Sequence, residues 1–313
     1  MPEIAENEVL VRLKAAALNR RDYWIQQGMY PRIQLPCIPG SDGAGVVEAV
    51  GEKVRNTKPG KEVIINPGMN WGNRKEVASE NFTILGMPQD GTFAQYVKVE
   101  SGYVYPKPPH LGFEQAAALP LAGVTAYRSL FSRAGARYGE KMLISGIGGG
   151  VAMQALQFAL AHGQEVYVTS GSEDKLKKAR QAGAHGGANY REENWHKKLK
   201  AETGLFEVIV DSAGGADFSK LVDLAAPAGR ITIYGGTTGN ISGIVPAKIF
   251  FKELTIMGST MGNDQDFESM VLLVNAHQIE PVVDTVFPLE EAQQAVEYLA
   301  RGQHLGKVAL RID

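Results

Sequence analysis

Residues 144–152 have the sequence Ile-Ser-Gly-Ile-Gly-Gly-Gly-Val-Ala, and this glycine cluster decides how the second half of the chain folds. The cluster follows a short apolar run typical of a β-strand and precedes a segment with helical periodicity. In that context, glycines allow the backbone to approach a pyrophosphate closely, and the amides of the helix N-terminus point at the phosphates. The stretch therefore predicts a dinucleotide-binding turn.

The spacing within the turn allows two groupings. A strict Gly-x-Gly-x-x-Gly pattern ending at Ala152 would place its first glycine at Ile147, whereas Gly146-x-x-Gly149-x-x-Ala152 keeps a small residue at each position. Glycine clusters also occur as plain structural turns, and the flanking strand and helix are what favour a phosphate site here. The predicted cofactor contacts of the turn are Gly146, Gly148, Gly149, Gly150 and Val151.

Short β-rich runs alternate with helical patterns from about residue 140 onward, which predicts parallel βαβ units. Six such strands fit a doubly wound parallel sheet, which binds its ligand at the carboxyl ends of the strands. The predicted strands are Lys141–Ser145, Glu165–Thr169, Gly187–Asn189, Phe206–Asp211, Arg230–Tyr234 and Leu254–Met257, and the predicted helices are Val151–Ala161, Glu173–Ala182, Trp195–Glu202 and Phe218–Ala225.

The first hundred residues differ, because short strands split by Gly and Pro turns predict an irregular β-barrel there. A polar stretch with little periodicity, Asn66–Gly91, predicts a surface lobe. The end of the chain has a helix signature at Leu289–Ala300 and a strand at Lys307–Ile312, which we expect to return to the first domain. We predict a substrate-binding and catalytic domain from residues 1–118 and 262–313, and a dinucleotide-binding domain from residues 119–261.

Composition favours a small-molecule partner. The 313 residues are 44% hydrophobic and 21% charged, and the net charge of -2 gives no basic surface for nucleic acid or an anionic membrane. The uncharged run Met142–Ala161 has a glycine cluster at its centre, which indicates strand, turn and helix rather than a membrane span. The acidic start of the chain does not have the composition of a leader peptide, and we expect a cytoplasmic protein.

The end of the second predicted strand indicates which coenzyme binds. An NAD enzyme presents Asp or Glu there to the ribose 2′-hydroxyl, and this chain has Ser170, followed by Ser172 and Lys175. Hydroxyls and an ammonium group favour a 2′-phosphate, so we predict NADP(H). The alternative is an ordinary turn with Ser172 as a helix N-cap, and one residue can serve both purposes.

Several stretches spread over nearly the whole chain stand in one order: Ala15–Asp22, Pro39–Val47, Asp90–Val97, Ala116–Tyr127, the glycine turn, Ala188–Arg191, Val210–Gly214 and Leu305–Val308. Together they resemble the medium-chain dehydrogenase/reductase superfamily. The resemblance implies an α/β fold, with a Rossmann doubly wound parallel sheet and a GroES-like β-barrel domain.

The positions that hold zinc in the alcohol dehydrogenases of this superfamily are changed in this sequence. Asn19, Ser41-Asp42 and Leu121 stand where those enzymes have Cys, His-Glu and Cys, and the lobe of the four-cysteine structural site has no cysteine. We do not expect the single Cys37 to be a ligand, because a lone cysteine is usually a small buried hydrophobe. We therefore predict no metal, as in the quinone-oxidoreductase-like branch.

The resemblance to that branch rests on Asn19, Asp22, Gly28 and Tyr30, and it implies further roles. Asn19 and Thr125 would contact the nicotinamide, Tyr190 the 2′-phosphate, and the last strand near Glu253–Met257 would join a homodimer. Ribose or pyrophosphate contacts are implied for Gly235, Gly236, Thr237, Gly258 and Ser259.

Reduction of a quinone or activated alkene without a metal needs hydrogen-bond donors near the carbonyl oxygen. Candidate catalytic residues are Asn19, Tyr30 and Ser41, with Trp24 as a planar wall. The alternatives are that Asn19 caps a turn, that Tyr30 and Trp24 are core aromatics, and that Ser41 is small for steric reasons.

Two other functions stay open. An enoyl-thioester reductase would need a basic entry for a phosphate, which Arg20, Arg21 and Arg32 would supply unless they are ordinary solvated surface. A cofactor-binding sensor or structural protein with little turnover would have the same sequence features. A dehydrogenase of simple alcohols is disfavoured because the Lewis acid is missing.

Overall fold

The computed structural model describes residues 1–313, which form two compact units: residues 1–124 with 261–313, and residues 125–260. The strands are β1 (Glu8–Ala17), β2 (Asp42–Val50), β3 (Glu62–Ile65), β4 (Gly68–Met69), β5 (Thr83–Ile84), β6 (Tyr96–Glu100), β7 (Val104–Pro106), β8 (Lys141–Ile144), β9 (Glu165–Ser170), β10 (Gly186–Asn189), β11 (Phe206–Asp211), β12 (Ala225–Ile233), β13 (Thr255–Gly258), β14 (Val283–Pro288) and β15 (Lys307–Arg311). The helices are α1 (Arg20–Gln26), α2 (Phe113–Ala118), α3 (Pro120–Tyr127), α4 (Gly150–Ala161), α5 (Glu173–Gln181), α6 (Trp195–Thr203), α7 (Phe218–Leu224), α8 (Pro246–Phe250), α9 (Asp264–His277) and α10 (Ala292–Arg301).

The second unit, residues 125–260, contains a six-stranded sheet in the order β10-β9-β8-β11-β12-β13, with every pair parallel. The chain moves outward from β8 in one direction and then from β11 in the other. This reversal is the switch point at which doubly wound sheets bind dinucleotides, beyond the carboxyl ends of their strands. The predicted doubly wound fold is confirmed.

Element bounds in this unit agree with the periodicity to within about two residues except at β12. Helix α4 begins at Gly150, one residue before the predicted start, and α7 ends at Leu224. Strand β12 begins at Ala225 rather than at Arg230, because its first residues continue directly from α7 and pair with Phe206. Pro227 and Gly229 lie within this strand, and the structure accommodates them with Ala228 in the left-handed region, at φ 57°.

The first unit, residues 1–124 and 261–313, is built on a seven-stranded sheet in the order β14-β15-β1-β2-β3-β7, and β6 pairs with β1. All neighbouring strands are antiparallel except β14 and β15. Alternating buried side chains of β1 and β2 pack with apolar residues of α10 and β15 in one core. The chain end therefore does return to the first sheet, where β15 lies beside β1.

Helix α9 was not predicted, although its start has a local signal. Asn263 caps the helix by accepting the N–H of Asp266, whose carboxylate accepts the N–H of Asn263 in return. This reciprocal pair is a capping box with Asp in place of the usual Glu or Gln. The helix then buries Phe267, Met270 and Val274.

The stretch Asn66–Gly91 is more ordered than the predicted surface lobe. The short strands β4 and β5 pair antiparallel, and the Trp71 ring lies 5.2 Å from the Phe82 ring in an edge-to-face contact. Trp71 and Leu85 are buried. No helix in the structure is long and apolar enough to cross a membrane, and Met142–Ala161 consists of β8, the glycine turn and α4.

Candidate active site

The glycine turn of the second unit lies between β8 and α4. Gly146 and Gly148 have φ values of 67° and 148°, which L side chains rarely adopt. The N–H of Ile147 donates to the Thr169 carbonyl at 2.7 Å, and the N–H of Gly146 donates to the Thr169 hydroxyl at 3.1 Å. These bonds tie the turn to the end of β9 and leave Gly149 as the N-cap of α4, with open space where a Cβ would be.

Asp211 fixes the neighbouring loop at the switch point. Its fully buried carboxylate accepts the Ser145 hydroxyl from the end of β8, and it accepts the N–H of Gly214 at 2.8 Å and that of Ala213 at 3.2 Å. The N–H of Ser212 in turn donates to the Ser145 hydroxyl at 3.2 Å. One carboxylate therefore holds together the two loops that flank the reversal of the sheet.

Lys175 lies against the glycine turn. A Cβ added to Gly148 would be 3.0 Å from the Lys175 Nζ, so the ammonium group and the turn are in contact. Helix α5 places this lysine in its first turn, because the Ser172 hydroxyl caps the helix by accepting the N–H of Lys175 at 3.4 Å. Ser170 is buried, and its hydroxyl accepts the N–H of Ser172 at 3.2 Å. Both predicted serines thus shape the turn that carries Lys175.

Tyr190 and Arg191 pack over Gly171, directly after β9. A Cβ on Gly171 would be 2.8 Å from both the Tyr190 hydroxyl and the Arg191 Nε. Tyr190 and Lys175 are among the residues predicted to contact a 2′-phosphate, and Arg191, to which no role was given, lies beside Tyr190 against Gly171. The acidic residues at the start of α5 have partners of their own: Glu173 accepts from Asn189, and Asp174 pairs with Lys178.

The other predicted cofactor residues follow the remaining strands of the same sheet. Gly235 approaches the Ser212 carbonyl so closely that a Cβ would be 2.8 Å from its oxygen, and Thr237 donates its N–H to that carbonyl at 3.3 Å. Ser259 follows β13, and its buried hydroxyl has no hydrogen-bond partner. These loops lie at the carboxyl ends of the strands. Gly236 belongs to the same loop as Gly235, Gly258 ends β13, and Thr125 lies in α3, where its carbonyl accepts the Ser129 hydroxyl.

Asn19 begins α1 in the first unit. The cap is made by its backbone, because the N–H of Asn19 donates to the Asp22 carboxylate at 2.7 Å. Burial raises the pKa of Asp22 to about 6, against the opposing effects of Arg21 and of the bond from Asn19. The other carboxylate oxygen of Asp22 is buried without a partner. The alternative interpretation of Asn19 as a cap therefore applies to its backbone. Its side chain is not used in the cap and makes other contacts.

The Asn19 side chain joins a buried ion pair. Lys307 Nζ lies 2.8 Å from Asp42 Oδ2 and 2.7 Å from Asn19 Oδ1, and Asn19 Nδ2 donates to Asp42 Oδ2 at 2.8 Å. Asp42 is 0% exposed, Lys307 3% and Asn19 8%. Asp42 Oδ1 accepts the Leu121 N–H at 2.8 Å. We call Asn19, Asp42 and Lys307 the ion-pair cluster.

Arg21 organises the predicted residues Tyr30 and Ser41. Its guanidinium group donates to the Ser41 hydroxyl, to the Leu85 carbonyl at 2.8 Å and to the Tyr30 hydroxyl at 3.3 Å, and it lies 4.9 Å from the centre of the Tyr30 ring. Ser41 is fully buried and Tyr30 partly buried. The structure brings Tyr30 and Ser41 together through an arginine and places Ser41 beneath the surface of the unit.

This arrangement contradicts the phosphate-binding entry that Arg20, Arg21 and Arg32 were expected to form in an enoyl-thioester reductase. Arg21 is buried, so it is neither part of a phosphate entry nor solvated surface. Arg20 is partly buried and directs Nη1 toward the Ala300 carbonyl at 3.5 Å, and burial lowers its pKa. Arg32 is exposed. Trp24, the predicted wall, is half-buried in α1 with its ring 5.1 Å from that of Tyr23.

The residues of the first unit do not fit a zinc ion. Structural and catalytic zinc sites use thiolate, imidazole or carboxylate ligands, and Asp42 is the one such group among the substituted positions. Both of its oxygens are engaged, and Lys307 would confront the metal with a positive charge at close range. Nowhere in the chain do three His, Cys, Asp or Glu side chains lie in a metal-binding group.

No role was predicted for Lys307 or Arg191, and Arg21 was considered only as part of a phosphate entry. Arg191 directly follows Tyr190, a predicted contact, and this adjacency is visible in the sequence. Lys307 has one local signal, because it is a charged residue directly before the apolar run Val308–Leu310 of the final strand. Its partners lie 288 and 265 residues away along the chain, and no spacing rule connects them.

Comparison with known proteins agrees with this architecture. Residues 5–109 match the alcohol dehydrogenase GroES-like domain family, and residues 150–276 match the zinc-binding dehydrogenase family. A zinc-type alcohol dehydrogenase-like protein of Schizosaccharomyces pombe is 38% identical over 98% of this chain and 91% of its own length. The quinone oxidoreductase of Mus musculus is 32% identical over 99% of this chain and 91% of its own length.

A solved structure described as an NAD-dependent alcohol dehydrogenase superposes with a TM-score of 0.94, at 37% identity, and the match covers 100% of this chain and 94% of that one. Both halves of the chain, their order and the doubly wound sheet are thus shared with these relatives. The chain belongs to the medium-chain dehydrogenase/reductase superfamily and is an oxidoreductase of that superfamily.

Proposed function

We propose that this protein is an NADPH-dependent reductase of quinones or α,β-unsaturated carbonyl compounds and that it works without a metal. The observation that carries the proposal is the ion-pair cluster, which puts a neutral, hydrogen-bonded network at the positions of the metal ligands. The acceptor is a small molecule, and no nucleic acid or membrane takes part.

The second unit supplies the coenzyme preference. Lys175 and Arg191 bring positive charge to the loops after β8 and β9, and Tyr190 brings a hydroxyl group. The position where an NAD enzyme has an acid is Ser170, whose hydroxyl is neutral. A 2′-phosphate would gain charge-assisted hydrogen bonds from these groups. The turn fits the pyrophosphate, because Gly149 has open space where a side chain would obstruct it.

NADPH would supply a hydride, and residues of the first unit would hold the acceptor's carbonyl oxygen. As hydride reaches a carbon of the acceptor, the electron pair of the conjugated double bond moves toward the carbonyl oxygen, and a proton from water completes the reduction. The oxygen needs hydrogen-bond donors that are already in place. Asn19 Nδ2 and the Tyr30 hydroxyl are the donors we assign, because each is held by a charged neighbour, Asp42 and Arg21 respectively.

An assay of NADPH oxidation tests the proposal. Purified protein is mixed with NADPH or NADH and a panel of quinones, enones and enoyl thioesters, and the absorbance of the reduced nicotinamide is followed. We expect turnover of quinones or enones with NADPH and much slower turnover with NADH. Preference for enoyl thioesters, or tight NADPH binding without turnover, would replace the proposal with a thioester reductase or a sensor protein.

We further propose a homodimer joined through β13, the edge strand of the six-stranded sheet. This strand pairs with β12 alone, and the residues that precede it include Phe251, which is 82% exposed, and Phe250, which is 59% exposed. A second copy pairing along β13 would cover both the free edge and this apolar surface. Phe251→Glu is expected to shift the mass measured by light scattering toward the monomer, and an unchanged mass would count against this interface.

A further inference from the structure

The side-chain amide of Asn19 lies between two opposite charges. Its oxygen accepts from Lys307 Nζ at 2.7 Å, and its nitrogen donates to Asp42 Oδ2 at 2.8 Å. An ammonium group only donates, and a carboxylate only accepts. Rotating the amide by 180° would set its NH₂ group against the ammonium and its oxygen against the carboxylate. The ion pair therefore permits one orientation of the amide.

Asp42 is itself fixed from several sides. Its Oδ1 accepts the Leu121 N–H at 2.8 Å, and its backbone carbonyl accepts the Thr92 hydroxyl at 2.8 Å. Lys307 is fixed by its place at the start of β15. Strand β15 pairs with the end of β1, where Ala17 lies opposite Ala309, and β1 is followed by Asn19. Both charges are held by the sheet, so the amide between them has rigid supports.

The orientation leaves one N–H of the amide for a ligand. Asn19 Nδ2 carries two protons, one of which bonds to Asp42, and no acceptor in the chain takes the second. Carboxylate and ammonium also balance each other, so the cluster presents a donor and no net charge. A donor of this kind suits an oxygen that is neutral in the substrate and gains negative charge during reduction.

We propose that the Lys307–Asp42 pair is a positioning device that locks the amide of Asn19 with its free N–H available to the carbonyl oxygen of the acceptor. A neutral amide, rather than a metal, then polarises the carbonyl oxygen. Lys307 affects that oxygen only by orienting Asn19 and does not touch the substrate. The catalytic part of this inference rests on the proposed function, and the orientation of the amide does not.

The first test observes the amide directly. Protein labelled with ¹⁵N at asparagine gives side-chain amide signals, and the signals lost in Asn19→Ala belong to Asn19. The variant Asp42→Asn/Lys307→Met removes both charges together and so avoids a buried unpaired ion. We expect the Asn19 amide signals to move in that variant. Unchanged Asn19 signals would overturn the inference, whether or not any substrate is known.

The second test is a double-mutant cycle on turnover. In otherwise native protein, Asp42→Asn/Lys307→Met is expected to lower kcat by about 10- to 100-fold, below the roughly 100- to 1000-fold loss typical of removing such a donor. In the Asn19→Ala background, the same double substitution is expected to change kcat by less than about twofold, because it acts through the missing amide. Equal losses in both backgrounds would show a merely structural pair and overturn the inference.

Lys107 provides the matched control. It is also a buried lysine of the first unit, bonded to the Leu111 carbonyl and lying 3.2 Å from Glu62. Lys107→Met is expected to lower the melting temperature while leaving kcat and the Asn19 signals unchanged. If no acceptor of the panel supports NADPH oxidation by the native protein, the proposed function fails, and the amide spectrum still decides the inference.

Discussion

The two units bind their ligands, on this account, with opposite kinds of site. The site of the second unit is made of backbone and small residues at one turn, with Lys175 and Arg191 added at its rim. The site of the first unit is made of charged side chains that are almost wholly buried, and its partners come from the beginning and the end of the chain. The site of the second unit needs room for the backbone to approach a ligand closely. The site of the first unit needs each buried charge to be paired with an opposite charge.

This difference predicts different responses to mutation. A substitution at the rim of the second unit changes the affinity for a ligand and leaves the fold intact, because the affected groups are near solvent. A substitution in the ion-pair cluster changes the stability of the fold first, because an unpaired charge then stays buried. Each of the following predictions compares a residue of one kind with a matched residue elsewhere.

The largest effect is expected for Asp42→Asn, which leaves the Lys307 ammonium buried without its counter-charge. The free energy of unfolding should fall by about 3–5 kcal/mol, as is usual when one partner of a buried pair is removed. Asp217→Asn breaks an exposed pair with Lys220, whose charged atoms lie 2.8 Å apart, and should cost less than about 1 kcal/mol. Similar losses for both in urea unfolding would contradict the comparison.

The second effect concerns Asp22 and pH. Its pKa is raised from 3.8 to about 6 in the folded protein, so the folded state binds more protons than the unfolded state between these values. Stability should therefore fall as pH rises through this window, by about 3 kcal/mol for this group. Asp22→Asn keeps an acceptor for the N–H of Asn19 and lacks the titration.

The check is the difference in unfolding free energy between native protein and Asp22→Asn at several pH values. This difference cancels the other titrating groups. It should grow in favour of the variant from pH 4 to about pH 6.5 and then level off. A difference that is independent of pH would mean that burial does not raise the pKa of Asp22.

The third effect concerns affinity alone. Lys175→Ala and Arg191→Ala should each raise the Kd for NADPH by about 10- to 100-fold, since a hydrogen bond to a charged group contributes about 1.5–3 kcal/mol. The Kd for NADH and the melting temperature should stay nearly unchanged. Lys178→Ala is the control, because Lys178 is on the same helix and pairs with Asp174. Equal weakening of NADPH and NADH binding would refute the 2′-phosphate assignment.

The predictability of the two units from sequence follows the same division. The sheet of the second unit was predicted nearly to its residue bounds, because β8, the glycine turn and α4 are adjacent in sequence. Two elements differ from the prediction: β12 begins at Ala225 rather than Arg230, and α9, which begins at a capping box with Asp in place of Glu or Gln, was not predicted.

The ion-pair cluster was not predictable in this way. Asn19 and Ser41 were candidates from the sequence, whereas Lys307 was not, and Arg21 was considered only for a phosphate entry. The contacts of Lys307 depend on the pairing of β15 with β1, and those of Arg21 depend on α1 lying against the carbonyls of Leu85 and Met87. A buried charge is recognised by its partners, and here the partners are distant in sequence. Long-range pairing of this kind needs the structure.

The most direct test of the account measures whether zinc matters for turnover. The protein is stripped of metal with a chelator, its zinc content is determined by mass spectrometry, and NADPH oxidation is followed with the best quinone or enone before and after zinc is restored. Because Lys307 engages Asp42, the one carboxylate at the positions that hold zinc in the alcohol dehydrogenases, we expect the same kcat in both states and no stoichiometric zinc. Zinc bound at one equivalent, with a rate that rises when it is restored, would contradict it.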